Sequence, residues 1–302
     1  IMVSALIRLS GVSTAVGFNL AISLCFALTA LAAYGILFNL LAIRWKREEE
    51  NSKSVISSAA GWALLAPLFI LIVSNMAGFL DILHARGLFW TQMPDGNWTS
   101  GFWTWLGNKD FNVPPPQPFG WVPARGGWMW WRGSRVLQDF NLLGGAEEVI
   151  DEFPFFSYLL ADLHPHVLAM PFVLLAIGLA LNFYIHGSLN GYEKLNIAPL
   201  LLNFKFWLTA LLLGALAFLN TWDFPVYVAL NSSVFVLIGF RQDGWEAQRL
   251  WDFLGMSMLL GIAGILLYLP FYIGFAAQAG GILPSLIYFT CGANFWVMFA
   301  PL

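Results

Sequence analysis

The sequence predicts an all-α polytopic integral membrane protein. Hydrophobic residues make up 59% of the 302 and charged residues only 10%, where a soluble domain carries about 25% charge. Mean hydropathy is +0.71. Uncharged apolar runs recur along the chain, long enough to cross about 30 Å of hydrocarbon. The net charge of −3 and the lack of a long basic run argue against a nucleic-acid partner.

The first apolar run is 15–43, closed by the charged loop "RWKREEENSKS". The second is 55–80. A Trp-, Gly- and Pro-rich stretch follows, expected to form one long loop over 81–166. The third span is placed at 167–185. Its start is set by Pro165, which lacks an N–H and fits best in the first turn of a helix. Phe155–Leu163 then reads as a short separate helix at the interface. Runs four and five, 206–219 and 224–240, are separated only by "NTWD" and predict a helical hairpin. The sixth is 253–275. The seventh, 282–302, is interrupted by Pro284, Gly292 and Asn294, so the expectation is six to seven transmembrane helices. The chain opens on Ile1 and stops at "FWVMFAPL", which leads us to expect a longer protein around it. Cys25 and Cys291 lack metal spacing and read as apolar filler.

Lys and Arg set the expected orientation. Arg44, Lys46, Arg47, Lys53, Lys194, Lys205, Arg241 and Arg249 fall in loops on one side, while "NTWD" and "AAQAGGILP" on the other hold no basic residue. By the positive-inside rule the basic side is cytoplasmic. The stretch 81–166 is then extracytoplasmic, at the plasma membrane. This gathers Asp81, His84, Arg86, Asp151, Glu152, Asp162, His164, His166, Asp223 and Gln278 at one face, an expected polar site.

The candidate chemistry centres on "DEFPFFSYLLADLHPHVLAMP". Asp162, His164 and His166 can converge where Pro165 breaks the chain direction. A carboxylate beside an imidazole can act as a general base with its orienter. Asp162, His164 and His166 can also hold a divalent metal, or the imidazoles can satisfy carbonyls freed at the break. Asp151 and Glu152 suit either a helix N-terminus or the site. In "WMWWRGSRVL", Arg132 and Arg135 beside Trp131 can grip a phosphate bidentately, or pair with Asp151 or Glu152. The tryptophans also fit an interfacial belt. Asp223 in "NTWDFP" is a helix cap or a second acid. "NWT" at Asn97 and "NSS" at Asn231 match the glycosylation sequon.

Taken in order, "WWRGSRVL", "EFPFFSYLLADLHPHVLAMPF", "NTWDFP", and "YLPFY" with "QAGGILP" resemble the Chlor_Arch_YYY family of very hydrophobic membrane proteins, a domain of unknown function. The likeness runs from about Gly78 to Leu302. It implies a distant relation to the GT-C membrane glycosyltransferases, which use a polyprenyl-phosphate sugar donor and an acid in an outward loop. On that implication Asp162 or Glu152 activates the acceptor or binds a metal, with His164 and His166 beside them. Arg132 and Arg135 hold the donor phosphate near Trp131 and Asp223. The chain departs from the family in lacking its tyrosine motif, expected in the remainder of the protein. Its acids also follow a different span from the usual first outward loop.

Two other readings stand beside the transferase. One is a non-catalytic subunit bound to partner membrane subunits, its histidines structural or pigment ligands. The other, a lipid or solute transporter, ranks third, because the polar residues sit at span ends and no inverted repeat is evident.

Overall fold

The computed structural model describes residues 2–46, 52–73, 75–122, 129–190, 195–275 and 288–301. In chain order the elements are α1 (Met2–Ser10), α2 (Thr14–Lys46), α3 (Ser52–Ala63) and α4 (Leu65–Pro67), which runs into a π-helical stretch at Leu68–Val73. Next come α5 (Ala77–Ala85), the hairpin β1 (Thr91–Gln92) and β2 (Trp98–Thr99), α6 (Gly101–Leu106) and α7 (Met129–Gly133). Then follow β3 (Gln138–Phe140), β4 (Ala146–Glu148), α8 (Pro154–Leu159), α9 (Pro165–Asn190), α10 (Ile197–Leu202) and α11 (Phe204–Leu219). The chain continues through α12 (Asp223–Asp243), α13 (Gln248–Leu267), α14 (Leu269–Ile273), β5 (Phe289–Thr290) and α15 (Gly292–Phe299).

The protein is mostly helical and multi-pass. Among the described residues five helices are long and apolar enough to cross a membrane: Thr14–Trp45, Ser54–Val73, Pro165–Gly187, Asp223–Asp243 and Gln248–Leu267. The apolar α11 is shorter, at 16 residues. Three stretches differ from the apolar runs read in the sequence. The run 55–80 ends as a candidate span at Val73, and a separate helix, α5, begins at Ala77, whose N–H donates to the Asn75 side chain at 3.0 Å. The run 253–275 breaks at Tyr268, where Pro270 opens α14. Within 282–302 the described residues form β5 and the eight-residue α15, too short to cross a bilayer. Gln278 lies outside the described residues.

The chain divides into two compact units. The first, Ile1–Pro67 with Leu163–Ala279, is a helical bundle. Its core joins Ala176 of α9, Phe206, Ala210, Leu213 and Leu216 of α11, Val228 of α12, and Met256, Leu260 and Ala263 of α13. Small residues recur where these helices cross. Lipid is as apolar as leucine, so helices in a bilayer gain by close backbone approach rather than by leaving water.

The second unit, Leu68–Asp162 with Gly280–Leu302, corrects the expectation of a long loop. It has its own core of Leu80, Trp103, Leu106, Phe111, Val136, Phe153, Phe156, Val297 and Met298. A small antiparallel sheet of order β4-β3-β5 stands beside it, with Gln138 opposite Glu148 and Asp139 opposite Thr290. Buried polar groups are satisfied across long sequence separations. Trp103 Nε1 donates to Leu88 O at 2.8 Å, and the Asn294 amide to Leu106 O at 2.7 Å. The Asn75 amide donates to Gly133 O at 2.9 Å.

Candidate functional site

In the first unit the candidate site forms at the N-terminal end of α9. Pro165 opens this helix, so His164 lies just before it and His166 in its first turn. The two rings lie with centroids 5.5 Å apart, tilted at 47° to one another. Their ligating nitrogens lie within 4.8 Å, close enough to supply two of a divalent ion's ligands. His164 O accepts the Leu168 N–H at 3.1 Å, which ties it to the helix start. Both side chains are half-buried.

Asp223 reaches this place from the tight α11–α12 turn. It is the first residue of α12, which packs along α9. The helix is capped by Trp222 without a side-chain bond. The Asp223 carboxylate instead accepts from the Asn220 amide at 3.1 Å, and its N–H donates to Asn220 O at 3.0 Å. Asp223 lies within electrostatic reach of His166 and of Tyr227. An imidazole beside a held carboxylate can take up a proton at one nitrogen. The first turns of two helices also favour a negative ligand. Asn220 was not among the residues singled out from sequence, although its place three residues before an acid in a tight turn is a readable sign.

The other candidates belong to the second unit. Glu152 is half-buried, one residue before Phe153, the α8 N-cap, which makes no side-chain capping bond. Asp162 is exposed just past α8. Its N–H donates to Ser157 O at 2.9 Å, and that of Ala161 to Tyr158 O at 3.1 Å. This double closure, with Ala161 at φ 56°, ends the helix abruptly. Arg132 makes a charge-assisted bond to Asp81 on α5. Arg135 lies over the Trp131 ring at 3.9 Å and donates to Ser134 Oγ at 2.7 Å. Trp131 is exposed, and the Trp130 side chain and the whole of Trp128 lie outside the described residues.

Asp151 is a structural group here rather than a helix cap. It is 6% exposed, and its carboxylate accepts the Leu137 N–H at 2.7 Å. Its own N–H donates to Ser134 O at 2.7 Å. Burial pushes its pKa up to about 6, only partly offset by the Leu137 bond. A raised carboxylate pKa means the neutral acid favours the folded state. That contribution is full below about pH 4 and is lost as pH rises through about 6. Its upper bound is about 3 kcal/mol. We expect the thermal stability of the second unit to fall between pH 4 and pH 7 in wild type. Asp151→Asn, which keeps the acceptor for Leu137, should flatten that slope in melting curves. An unchanged slope would assign the pH dependence elsewhere.

Arg249 was counted from sequence among loop charges. It lies in the first turn of α13, 1% exposed, paired with Asp243 at 3.2 Å and Asp252 at 3.9 Å. His84 is likewise buried, its Nε2 2.9 Å from Val113 O and its ring against Trp90, Trp103 and Phe111. Asn231 of the second sequon is buried within α12, and its amide donates to Tyr227 O at 2.9 Å.

No curated protein and no solved structure matches the chain. A family model described as uncharacterized membrane protein (DUF2298) matches residues 1–295. With almost its whole length covered and several membrane-length helices, the chain belongs to this uncharacterised membrane protein family.

Proposed function

We propose that the protein binds a lipid-linked phosphate at the membrane rim and transfers the group that lipid carries. In its most concrete form the reaction moves a sugar from a polyprenyl-phosphate donor, on the extracytoplasmic side of the plasma membrane. The observation that best supports this reading is the His164–His166 pair, with Asp223 in electrostatic reach of His166 and all three at helix N-terminal ends. His166, oriented by Asp223, takes the proton from an acceptor hydroxyl as that oxygen attacks the anomeric carbon. The bond from carbon to phosphate oxygen breaks, and the electron pair leaves with the lipid phosphate. His164 and the helix ends stabilise the leaving charge. In the alternative form in which a divalent ion is held by the two imidazoles, that ion would supply the stabilisation as a Lewis acid, and the acceptor proton would pass to the Asp223 carboxylate instead of His166.

The test is sugar transfer from a labelled polyprenyl-phosphate donor by the protein in lipid nanodiscs. His166→Ala should lower turnover by about 10²-fold or more, and Asp223→Asn should also lower it. Equal turnover in wild type and His166→Ala would overturn the proposal. Asp162→Ala and Glu152→Ala in the same assay test the acceptor-activating roles expected of those acids, and unchanged turnover would remove them.

A further inference from the structure

The first unit carries a cavity of about 460 Å³ between α2 and α9. Leu28, Gly35 and Asn39 line it from α2, and Phe172, Gly178 and Asn182 from α9. No charged residue lines it. Along α9 the lining runs from Pro171 to Ile185, about 21 Å at 1.5 Å per residue. Pro171 is five residues beyond His166 on the same helix, about 8 Å along its axis. One helix thus carries a polar, anion-favouring end and a long uncharged groove that begins just past it.

We infer that this groove holds the hydrocarbon tail of the same amphiphile whose phosphate head meets His164 and His166. The inference rests on the head-group reading given above. The occupant follows from three features together. The groove lies on two helices of membrane length, so its surroundings are hydrocarbon. Its lining offers two asparagine side chains and otherwise apolar or backbone surface. The Asn39 amide donates to Gly35 O at 2.7 Å, within its own helix. A water-soluble ligand would find little to bind, whereas a chain already in the bilayer loses no solvation on entering. Selection in such a place comes from dispersion contact with a fitted wall, not from leaving water. The glycines create the space: a Cβ built at Gly35 or at Gly178 meets nothing within 4 Å.

That open space supplies a clean variant. Leucine at either glycine extends into the groove without meeting protein at its Cβ, and it favours helix more than glycine does. Gly178→Leu and the double variant Gly35→Leu/Gly178→Leu should therefore keep wild-type melting behaviour. Binding is measured for two probes, a long-chain polyprenyl phosphate by native mass spectrometry in nanodiscs and inorganic phosphate by calorimetry. The groove variants should weaken the long-chain probe by about tenfold and leave inorganic phosphate unchanged. His166→Ala should weaken both. Unaltered long-chain binding in the double variant would overturn the tail site, whatever His166→Ala does. Weakened long-chain binding in the groove variants with no effect of His166→Ala would keep the tail site and overturn the head-group reading. Equal loss of both probes in the groove variants would mean that they damage the bundle, and the tail site would fall.

Discussion

Arg132→Ala is expected to destabilise the second unit by about 3–5 kcal/mol. Arg132 and Asp81 are a tight ion pair, with side chains 17% and 6% exposed. Deleting the guanidinium leaves the Asp81 carboxylate in a poorly solvated place without this countercharge. The cost comes from the stranded charge more than from the lost attraction, so its removal should restore stability. The double variant Arg132→Met/Asp81→Leu is expected to recover most of the loss, because well-packed apolar pairs often equal a buried ion pair. Thermal melts of the two single variants and the double variant would show this as a strongly non-additive cycle. The same cycle decides between two roles for Arg132. If Arg132→Ala melts like wild type yet binds lipid phosphate poorly, the arginine belongs to a donor site. If it melts early, its work is to hold α7 to α5, and the phosphate must be met elsewhere.

The second large effect is expected at Gly214 on α11. A Cβ there would lie 2.6 Å from Gly264 O and 2.7 Å from Tyr268 Cδ2. The nearest obstacle is backbone on α13, which cannot rotate out of the way. At Gly264 itself a Cβ would come within 3.0 Å of Phe224 and 3.3 Å of Ala210 O. The α11–α13 crossing is thus a place where two backbones nearly touch, the geometry that small residues permit in a bilayer. Gly214→Ala should force the helices apart and cost about 1–3 kcal/mol by overpacking. Gly214→Leu should cost more. The control is Gly261→Ala on α13, where a Cβ meets nothing within 4 Å. It should be neutral or gain up to about 1 kcal/mol from helix propensity. Melting curves for this pair of alanine variants are the check. Equal effects at the two sites would show that the crossing is not tight.

Much of the first unit is legible in the sequence for a local reason. A helix in hydrocarbon must bury its own backbone polar groups and avoid charge over about 20 residues, so hydropathy alone marks the spans. The start of α9 at Pro165 is legible too, because a missing N–H costs nothing in a first turn. The His164–His166 pair is near-neighbour chemistry, and its spacing suffices to draw attention to it. Asp223 could be listed as an acid at a span end, but only the packing of α12 along α9 brings it to His166.

The second unit shows what such reading misses. The stretch 81–166 reads along the chain as one long loop, yet Trp103 within it is fully buried in a core. Val297 and Met298 belong to that same core, although they are nearly two hundred residues away in sequence. The strand Phe289–Thr290 pairs with Phe140 and Asp139, so a stretch that looks like the start of a last span is the edge of a sheet.

By itself, then, the sequence determined that this chain is a multi-pass helical membrane protein, and it marked the long apolar runs and the acids and imidazoles that border them. Composition and local spacing carry that information, since the bilayer acts on each segment separately. Only the tertiary structure decided how those groups are used. It committed Arg132 to Asp81 across 51 residues and Asp151 to the Leu137 N–H, and it brought Asp223 within electrostatic reach of His166. Whether a charged group is spent on the fold or left for a ligand depends on which partner the chain path delivers, and no local pattern records that path.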